Sequence, residues 1–262
     1  MNKPQTDSAP ASSRWQRWLV NLAKVVISLG LILYLFRRVN AEEVLSTLQQ
    51  ANAGLVALAL VIYLGAITLG SFKWYLLLRA QKVAVPFRSL LAYSFVGVFF
   101  SNFLPANIGG DVMRGYGLAR HTARTAEAAV SVVVDRLIGL IAFMSVAAAA
   151  ATIAVVTTGR ADLGVIALAA SGGTLALALL FAVILSRRLR ARAERLFHWR
   201  WLAPFGSLYA RVSVAIGAYR FHYRTLFLAY LTSIGVLFLS TLVNYALAES
   251  LGGGISLLYI FL

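Results

Sequence analysis

Long apolar runs separated by short basic segments set the pattern of this chain. The runs lie at about 19–36, 54–72, 130–158, 163–185 and 225–248. A helix needs roughly 20 residues to cross a bilayer core of about 30 Å, and these runs come near or exceed that length. The residue-by-residue alternation typical of a membrane β-barrel is absent. The pattern predicts an all-α, polytopic helical membrane protein.

One polar segment, residues 101–120, interrupts this pattern directly after the apolar run 89–100. Backbone at membrane depth must satisfy its own hydrogen bonds, so a helix break is tolerated only where protein or a water-filled cavity surrounds it. The segment is therefore a candidate site. Its helix-breaking and polar members are Asn102, Pro105, Asn107, Gly109, Gly110, Asp111 and Arg114.

The basic residues are concentrated in four segments. Residues 1–18, 73–88, 120–125 and 186–224 hold 18 of the 24 Lys and Arg residues. Cytoplasmic loops of membrane proteins carry an excess of Lys and Arg, so we expect these four segments on the cytoplasmic side, with the N-terminus inside. Lys73 is counted here as a loop charge, and Trp74 beside it as part of the interfacial aromatic belt.

These segments share one side only if the chain enters the membrane near 89–104 and returns near 106–119. The first limb, of about 16 residues, would be about 24 Å long, which is short for a full crossing. We therefore predict a re-entrant helix pair near 89–119. A tight two-span hairpin is the alternative and gives the same sidedness.

The remaining segments complete the predicted organisation. Residues 1–18 are expected to be a disordered cytoplasmic N-terminus, and residues 19–262 a single transmembrane domain. Amphipathic patterns predict surface helices at 186–203 and at about 208–219, with a solvated loop as the alternative. Residues 255–262 look like the beginning of another span, so we expect the C-terminus to be truncated there.

Composition and charge exclude several classes of function. The chain is 60% hydrophobic and only 13% charged, whereas soluble domains are about 25% charged. A net charge of +15 would suggest nucleic acid in a soluble protein, but here the basic residues lie between apolar spans and suit anionic lipid. The chain has no cysteine and three histidines, so we expect no disulfide, no metal site and no cofactor.

Asp111 and Arg114 are the strongest candidates for binding. Three residues apart on a helix, they share a face and can pair. Gly109 and Gly110 precede them at a predicted helix start, which attracts anions, and an arginine suits bidentate contact with a phosphate. The functional interpretation is a lipid headgroup site at the tip of the re-entrant loop. The alternative is a capped helix start with a local ion pair.

Glu127, Asp135 and Arg136 lie on the helix that follows. Ionisable residues inside a span usually face a partner or a cavity. We therefore predict that Arg136 pairs with Asp111, or Asp135 with Arg114, and include Glu127 in the candidate site. The alternative places Asp135 and Arg136 at the inner interface, because the apolar residues after them are long enough to span.

Signals of catalysis are weak. The chain contains no Gly-x-Ser-x-Gly, His-Glu-x-x-His or P-loop motif. Its nine acidic residues do not form the Asp-rich cluster that a metal-dependent lipid transferase would need. We therefore assign no catalytic residue, and enzymatic activity is not expected to be the main function.

Two segments resemble one known family. The run Asn102-Phe-Leu-Pro-Ala-Asn-Ile-Gly-Gly-Asp-Val-Met-Arg114, followed by an acidic residue and an arginine at Asp135-Arg136, resembles the lysylphosphatidylglycerol synthase transmembrane family, a flippase-like integral membrane domain. The usual acidic residue of that pair is Glu rather than Asp. The resemblance implies a multi-pass protein of the bacterial inner membrane. It associates some members with flipping aminoacylated phospholipid, and it places lysyl transfer in a separate soluble domain, so we expect no lysyl transfer by these residues.

The expected function is translocation or binding of an anionic phospholipid or a lipid-linked headgroup. A membrane-embedded enzyme using Asp111 or Asp135 as its acid/base group is one alternative. A partner subunit that recruits a soluble synthase of envelope lipid modification is another. A homo-oligomer is compatible with the sequence, which leaves open the lipid, the direction of movement and the energy source.

Overall fold

The described part of the structure, a computed structural model, is helical. Within it the chain forms eight α-helices and one 3-10 helix, and no strand. The chain divides into two compact units, 1–52 and 53–262. The first contains α1 (Ala41–Gln50), and all other helices belong to the second. The residues described are 26, 30, 34, 41–103, 108–159, 162–186 and 206–254.

Four helices of the second unit are long and apolar enough to cross a membrane. The shortest has 24 residues and is about 36 Å long at the usual helical rise, which exceeds the bilayer core of about 30 Å. The all-α polytopic fold is therefore confirmed, and the predicted spans after the first are each found as helices. The four are α2 (Ala53–Ala80), α5 (Thr125–Thr158), α6 (Asp162–Leu185) and α8 (Tyr223–Ser250).

Two shorter helices, α3 (Phe87–Phe103) and α4 (Ile108–Thr122), form the predicted re-entrant pair. They have 17 and 15 residues and are about 26 and 22 Å long, less than the bilayer core. The Tyr93 ring of α3 packs 6.4 Å from the His121 ring of α4, while Gly97 lies opposite Gly110. The two helices are therefore antiparallel, and the short lengths favour a re-entrant pair over two crossings.

The hairpin begins and ends at the same end of the second unit. Arg124, just before α5, donates a hydrogen bond from Nη1 to the Lys82 carbonyl, just after α2, at 3.3 Å. Gln81 Nε2 donates to the Ala215 carbonyl of α7 (Gly206–Gly217) at 3.4 Å. Three basic segments predicted to share a side are thus neighbours. Their assignment to the cytoplasm stays a prediction.

A buried cluster at this end joins four helices. Trp74 and Leu78 of α2 pack with Leu90 of α3, Leu118 of α4 and Ala128 of α5. Trp74, Leu90 and Leu118 have no exposed surface. The cluster fixes the base of the re-entrant pair against the long helices.

A second cluster lies against α7 and the 3-10 helix η1 (Ala218–Phe221). These two elements occupy the position of the surface helix predicted at about 208–219, which is confirmed as helical. The cluster is formed by Leu77, Ala80, Val130, Val134, Ile138, Ala215, Tyr219 and Ala229.

Several predictions fall on residues that the structure does not describe. These are the N-terminal segment 1–18, most of the first span at 19–36, the surface helix at 186–203 apart from its first residue, and the start of a span at 255–262. Of the first span, residues 26, 30 and 34 are described, and all three are helical and exposed.

The hairpin closes through direct contact between two glycine backbones. A Cβ atom added to Gly110 would lie 2.4 Å from the Gly97 carbonyl oxygen and 2.1 Å from Ser101 Oγ. Real Cβ atoms do not approach other heavy atoms so closely, so any side chain at residue 110 would force α3 and α4 apart. The close backbone approach predicted for this glycine is confirmed.

Gly110→Ala should therefore destabilise the fold by about 1–3 kcal/mol, the usual range for overpacking a close contact. Gly115→Ala on the same helix is the matched control, because its added Cβ would lie 3.6 Å from Val132 Cγ2, an ordinary contact. Gly115→Ala should be as stable as the wild-type protein or slightly more stable, since alanine is favoured over glycine in helices. Thermal unfolding in detergent, followed by circular dichroism, measures both. Equal melting temperatures for the two variants would contradict the close approach.

Candidate functional site

A cavity of about 310 Å³ lies among α2, α3, α4, α5 and α8, and is called the five-helix cavity below. Four serines and several small or apolar residues line part of it. The re-entrant pair supplies one wall and the long helices supply the others. Its charged lining residues are Lys73, Asp111, Arg114, Asp135 and Arg136.

The Asp135 carboxylate lies between two cations. Lys73 Nζ is 2.9 Å from Oδ1, and Arg114 Nη1 is 3.4 Å from Oδ2. Asp135 is only 6% exposed, so its carboxylate is enclosed by protein, and its depth in the membrane stays a prediction. Removing an unpaired carboxylate from water would be very unfavourable, and the two cations offset that cost. The predicted pairing of Asp135 with Arg114 is confirmed.

Arg114 lies at the centre of the charged group. It contacts the Asp111 carboxylate at 3.6 Å as well as Asp135, and its guanidinium lies 4.4 Å from the centre of the Trp74 ring. Trp74 is itself held by a hydrogen bond from Nε1 to Ser131 Oγ at 3.0 Å. The ring supports the guanidinium plane through a cation–π contact, which is strongest when shielded from water.

Asp111 and Arg136 form the other ion pair that the sequence predicted, with Arg136 Nε donating to Asp111 Oδ2. The Arg136 side chain is half exposed, at 52%, whereas that of Asp111 is 16% exposed. The local pair between Asp111 and Arg114 is also present. The local ion pair of the alternative interpretation is therefore found, whereas the headgroup site stays a prediction.

The other predicted site residues lie elsewhere or are not described. Asn102 is exposed, and its Nδ2 donates to the Val98 carbonyl of its own helix at 3.2 Å. Pro105 and Asn107 lie outside the described residues. Glu127 lines a separate cavity of about 420 Å³, two helical turns before Asp135 on α5. Gly109 is buried next to Gly110.

Lys73 and Trp74 are corrections to the sequence interpretation. Lys73 is not a loop charge, because α2 continues to Ala80 and carries it into the ion pair with Asp135. Trp74 is not in an interfacial belt, because it is fully buried under Arg114. The apolar residues that follow Lys73 up to Leu78 were the available signal, since they continue the helix beyond the predicted end of the span.

Gly97 is a further site residue that sequence reasoning missed. A Cβ atom there would lie 2.8 Å from Arg114 Cγ and 3.0 Å from the Gly110 carbonyl oxygen. The missing side chain is what lets Arg114 lie across α3. A glycine inside an apolar run carries no sequence signal of that role.

The charged group has the chemistry of an anion site. Three cations and two carboxylates line the cavity, which leaves one positive charge in excess. Among the described residues, no three or more His, Cys, Asp or Glu side chains come together in a way that could hold a metal ion. The Arg114 Nε–H group is buried and has no hydrogen-bond partner in the described part of the chain.

Comparison with known proteins gives one match. The family model described as the lysylphosphatidylglycerol synthase TM region matches residues 21–262. No curated protein matches the chain, and no solved structure matches it. The resemblance noted in the sequence is therefore confirmed over nearly the whole chain.

Lys73→Met should destabilise the protein strongly, because it leaves Asp135 with Arg114 as its one remaining cation. Breaking a buried ion pair by removing one partner costs about 3–5 kcal/mol. Lys82→Met is the matched control, since Lys82 is exposed just beyond the end of α2. Thermal unfolding in detergent measures both. The double variant Lys73→Met/Asp135→Asn should recover part of the loss, and a double variant no more stable than Lys73→Met would argue against charge pairing as the cause.

Proposed function

This chain belongs to the lysylphosphatidylglycerol synthase transmembrane family, and we propose that its five-helix cavity binds the headgroup of an anionic phospholipid or lipid-linked substrate and passes it across the membrane. The observation that carries the proposal is the group of three cations and two carboxylates in a cavity between the re-entrant pair and the spanning helices. The proposal includes location in the bacterial inner membrane with a cytoplasmic N-terminus.

The charge balance of the cavity favours an anionic ligand. Its excess of one positive charge lies among helices that are long and apolar enough to span a membrane, where the surroundings screen charge much less than water does. A phosphodiester with a single negative charge would neutralise the excess. A neutral or cationic ligand would leave it uncompensated.

Arg114 is suited to hold the phosphate. A guanidinium offers five N–H donors in a planar fork that matches phosphate oxygens. Nη1 is engaged by the two carboxylates, whereas the buried Nε–H group has no partner in the described part of the chain. The contact with the Trp74 ring, 4.4 Å from the guanidinium carbon to the ring centre, holds the group in place before any ligand arrives.

The size of the cavity suits a headgroup and not a whole lipid. Its volume of about 310 Å³ is at the lower end of the range, roughly 300–1,000 Å³, of pockets for small ligands. The acyl chains would therefore stay outside it. A substrate that keeps its chains in the bilayer while its headgroup enters protein is what a lipid translocase requires.

Arg114→Ala should abolish translocation of fluorescent phosphatidylglycerol in proteoliposomes. Losing hydrogen bonds to a charged group costs about 1.5–3 kcal/mol each, so headgroup affinity should fall by about tenfold or more. Arg114→Lys keeps the charge near Asp135 but loses the fork, and it should show an intermediate loss. Arg120→Ala, exposed in the last turn of α4, is the matched control and should leave transport unchanged. Normal translocation by Arg114→Ala would contradict the role of Arg114 in binding the headgroup.

Lipid extracts separate translocation from the enzymatic alternative. Cells lacking this protein should contain the same lipid species as wild-type cells, with an altered distribution of one anionic species between the two leaflets. Mass spectrometry of total lipid and labelling of the outer leaflet measure the two quantities. A missing lipid species with normal sidedness would favour a membrane-embedded enzyme, or a subunit that recruits a soluble synthase.

A further inference from the structure

An apolar groove between α4 and α5 begins at the edge of the five-helix cavity. It encloses about 540 Å³, and Asp111 and Arg136 line both the groove and the cavity. From that charged end it extends along the two helices to Ala119 and Thr125, at the base of the hairpin. Apart from Asp111 and Arg136, its lining carries no charged residue. The groove and the cavity therefore meet at a single ion pair.

Small residues create the space in this groove. Gly115 and Ala119 on α4 and Ala129 on α5 lie along it, while Val112 and Val133 are 60% and 56% exposed. The lining positions recur at helical spacing on one face of each helix, so the groove is continuous along them. Such a surface suits a flexible hydrocarbon chain.

The length of the groove fits one acyl chain. Its lining on α5 extends from Thr125 to Leu137, which is about 18 Å at the helical rise of 1.5 Å per residue. One acyl chain in extended form would occupy the groove from end to end.

We propose that the α4–α5 groove holds one acyl chain of the lipid whose headgroup occupies the five-helix cavity. The headgroup would pass the Asp111–Arg136 ion pair as it enters the cavity. This inference rests on the proposed function. The half-exposed Arg136 side chain presents a cation at the end of the groove, where the phosphate of a lipid in the groove would lie. A phosphate that takes over Arg136 from Asp111 exchanges one anionic partner for another, so the arginine is not left unpaired.

The lipid-facing surface of α6 lacks this combination. On α6, Val165 and Leu168 are 70% and 76% exposed, but they line none of the described cavities that contain charged residues. Lipid molecules in contact with α6 would exchange freely with the rest of the bilayer. A chain in the α4–α5 groove would have its headgroup next to the cavity.

Filling the groove tests the inference. Ala129→Phe places a ring among the small lining residues of the groove, at a position that does not line the five-helix cavity. Ala169→Phe on α6 is the matched control, because Ala169 is an exposed alanine on a spanning helix away from the groove. Binding of two probes to the full chain in detergent is measured: long-chain phosphatidylglycerol, and its deacylated headgroup, glycerophosphoglycerol.

Ala129→Phe should weaken binding of phosphatidylglycerol by about tenfold and leave binding of glycerophosphoglycerol unchanged. Ala169→Phe should change neither. If the two variants bind the long-chain lipid with equal affinity and bind the headgroup normally, the inference that the groove holds an acyl chain is wrong. The proposed function would be unaffected. A wild-type protein that binds neither probe would overturn both.

A second variant keeps the test valid if Ala129→Phe does not fold. Val133 is exposed, so Val133→Phe narrows the groove without changing the buried core, and the same selective loss of long-chain binding is expected. The chain has no cysteine, so a single fluorescent label at Val133→Cys is specific. Phosphatidylglycerol with a brominated chain should quench it more strongly than brominated phosphatidylcholine does, whereas a label at Leu168→Cys should be quenched equally by both. If the two brominated lipids quench the label at Val133→Cys equally, the inference that the groove holds an acyl chain is also wrong.

Discussion

The Asp135 carboxylate joins three helices. It belongs to α5 and forms ion pairs with Lys73 of α2 and Arg114 of α4. In a bilayer the lipid tails are as apolar as the helix surfaces, so helices gain little hydrophobic energy by associating. Buried polar contacts then decide which faces meet. The re-entrant pair has no crossing of its own to anchor it, and these contacts fix its return helix against the spanning helices.

Two glycines give the charged group its geometry. Gly110 lets α4 contact α3 backbone to backbone, and Gly97 leaves the space that Arg114 fills. The arginine is held on one side by α3 and on the other by the Trp74 ring. Packing thus positions a long flexible side chain that ion pairing alone would leave mobile. A site built on this hairpin gains its precision from residues that have no polar chemistry.

The sequence predicted the class, the spanning helices after the first, the re-entrant pair and the two ion pairs, because hydropathy, the distribution of basic residues and helical spacing report on these directly. It did not predict α1. It misplaced Lys73 and Trp74, because it ended the span at residue 72 although the apolar residues up to Leu78 continue the helix. Gly97 gave no signal, because close approach between helices depends on which faces meet. Glu127 shared the helical spacing of Asp135 but lies too far along α5 to reach the same cavity.

The charge of the five-helix cavity has a consequence for energetics. Its lining carries three cations and two carboxylates, so a monoanionic headgroup would bring the total to zero. The electric potential across a membrane does work of about 2.3 kcal/mol on each unit charge moved through 100 mV. If a rearrangement carried the loaded, neutral site through the bilayer, the membrane potential would do almost no work on it. The potential would do work on the return of the empty site, which carries a positive charge. Membrane voltage would then act on the return step, and each completed cycle would move the single negative charge of the lipid across the membrane.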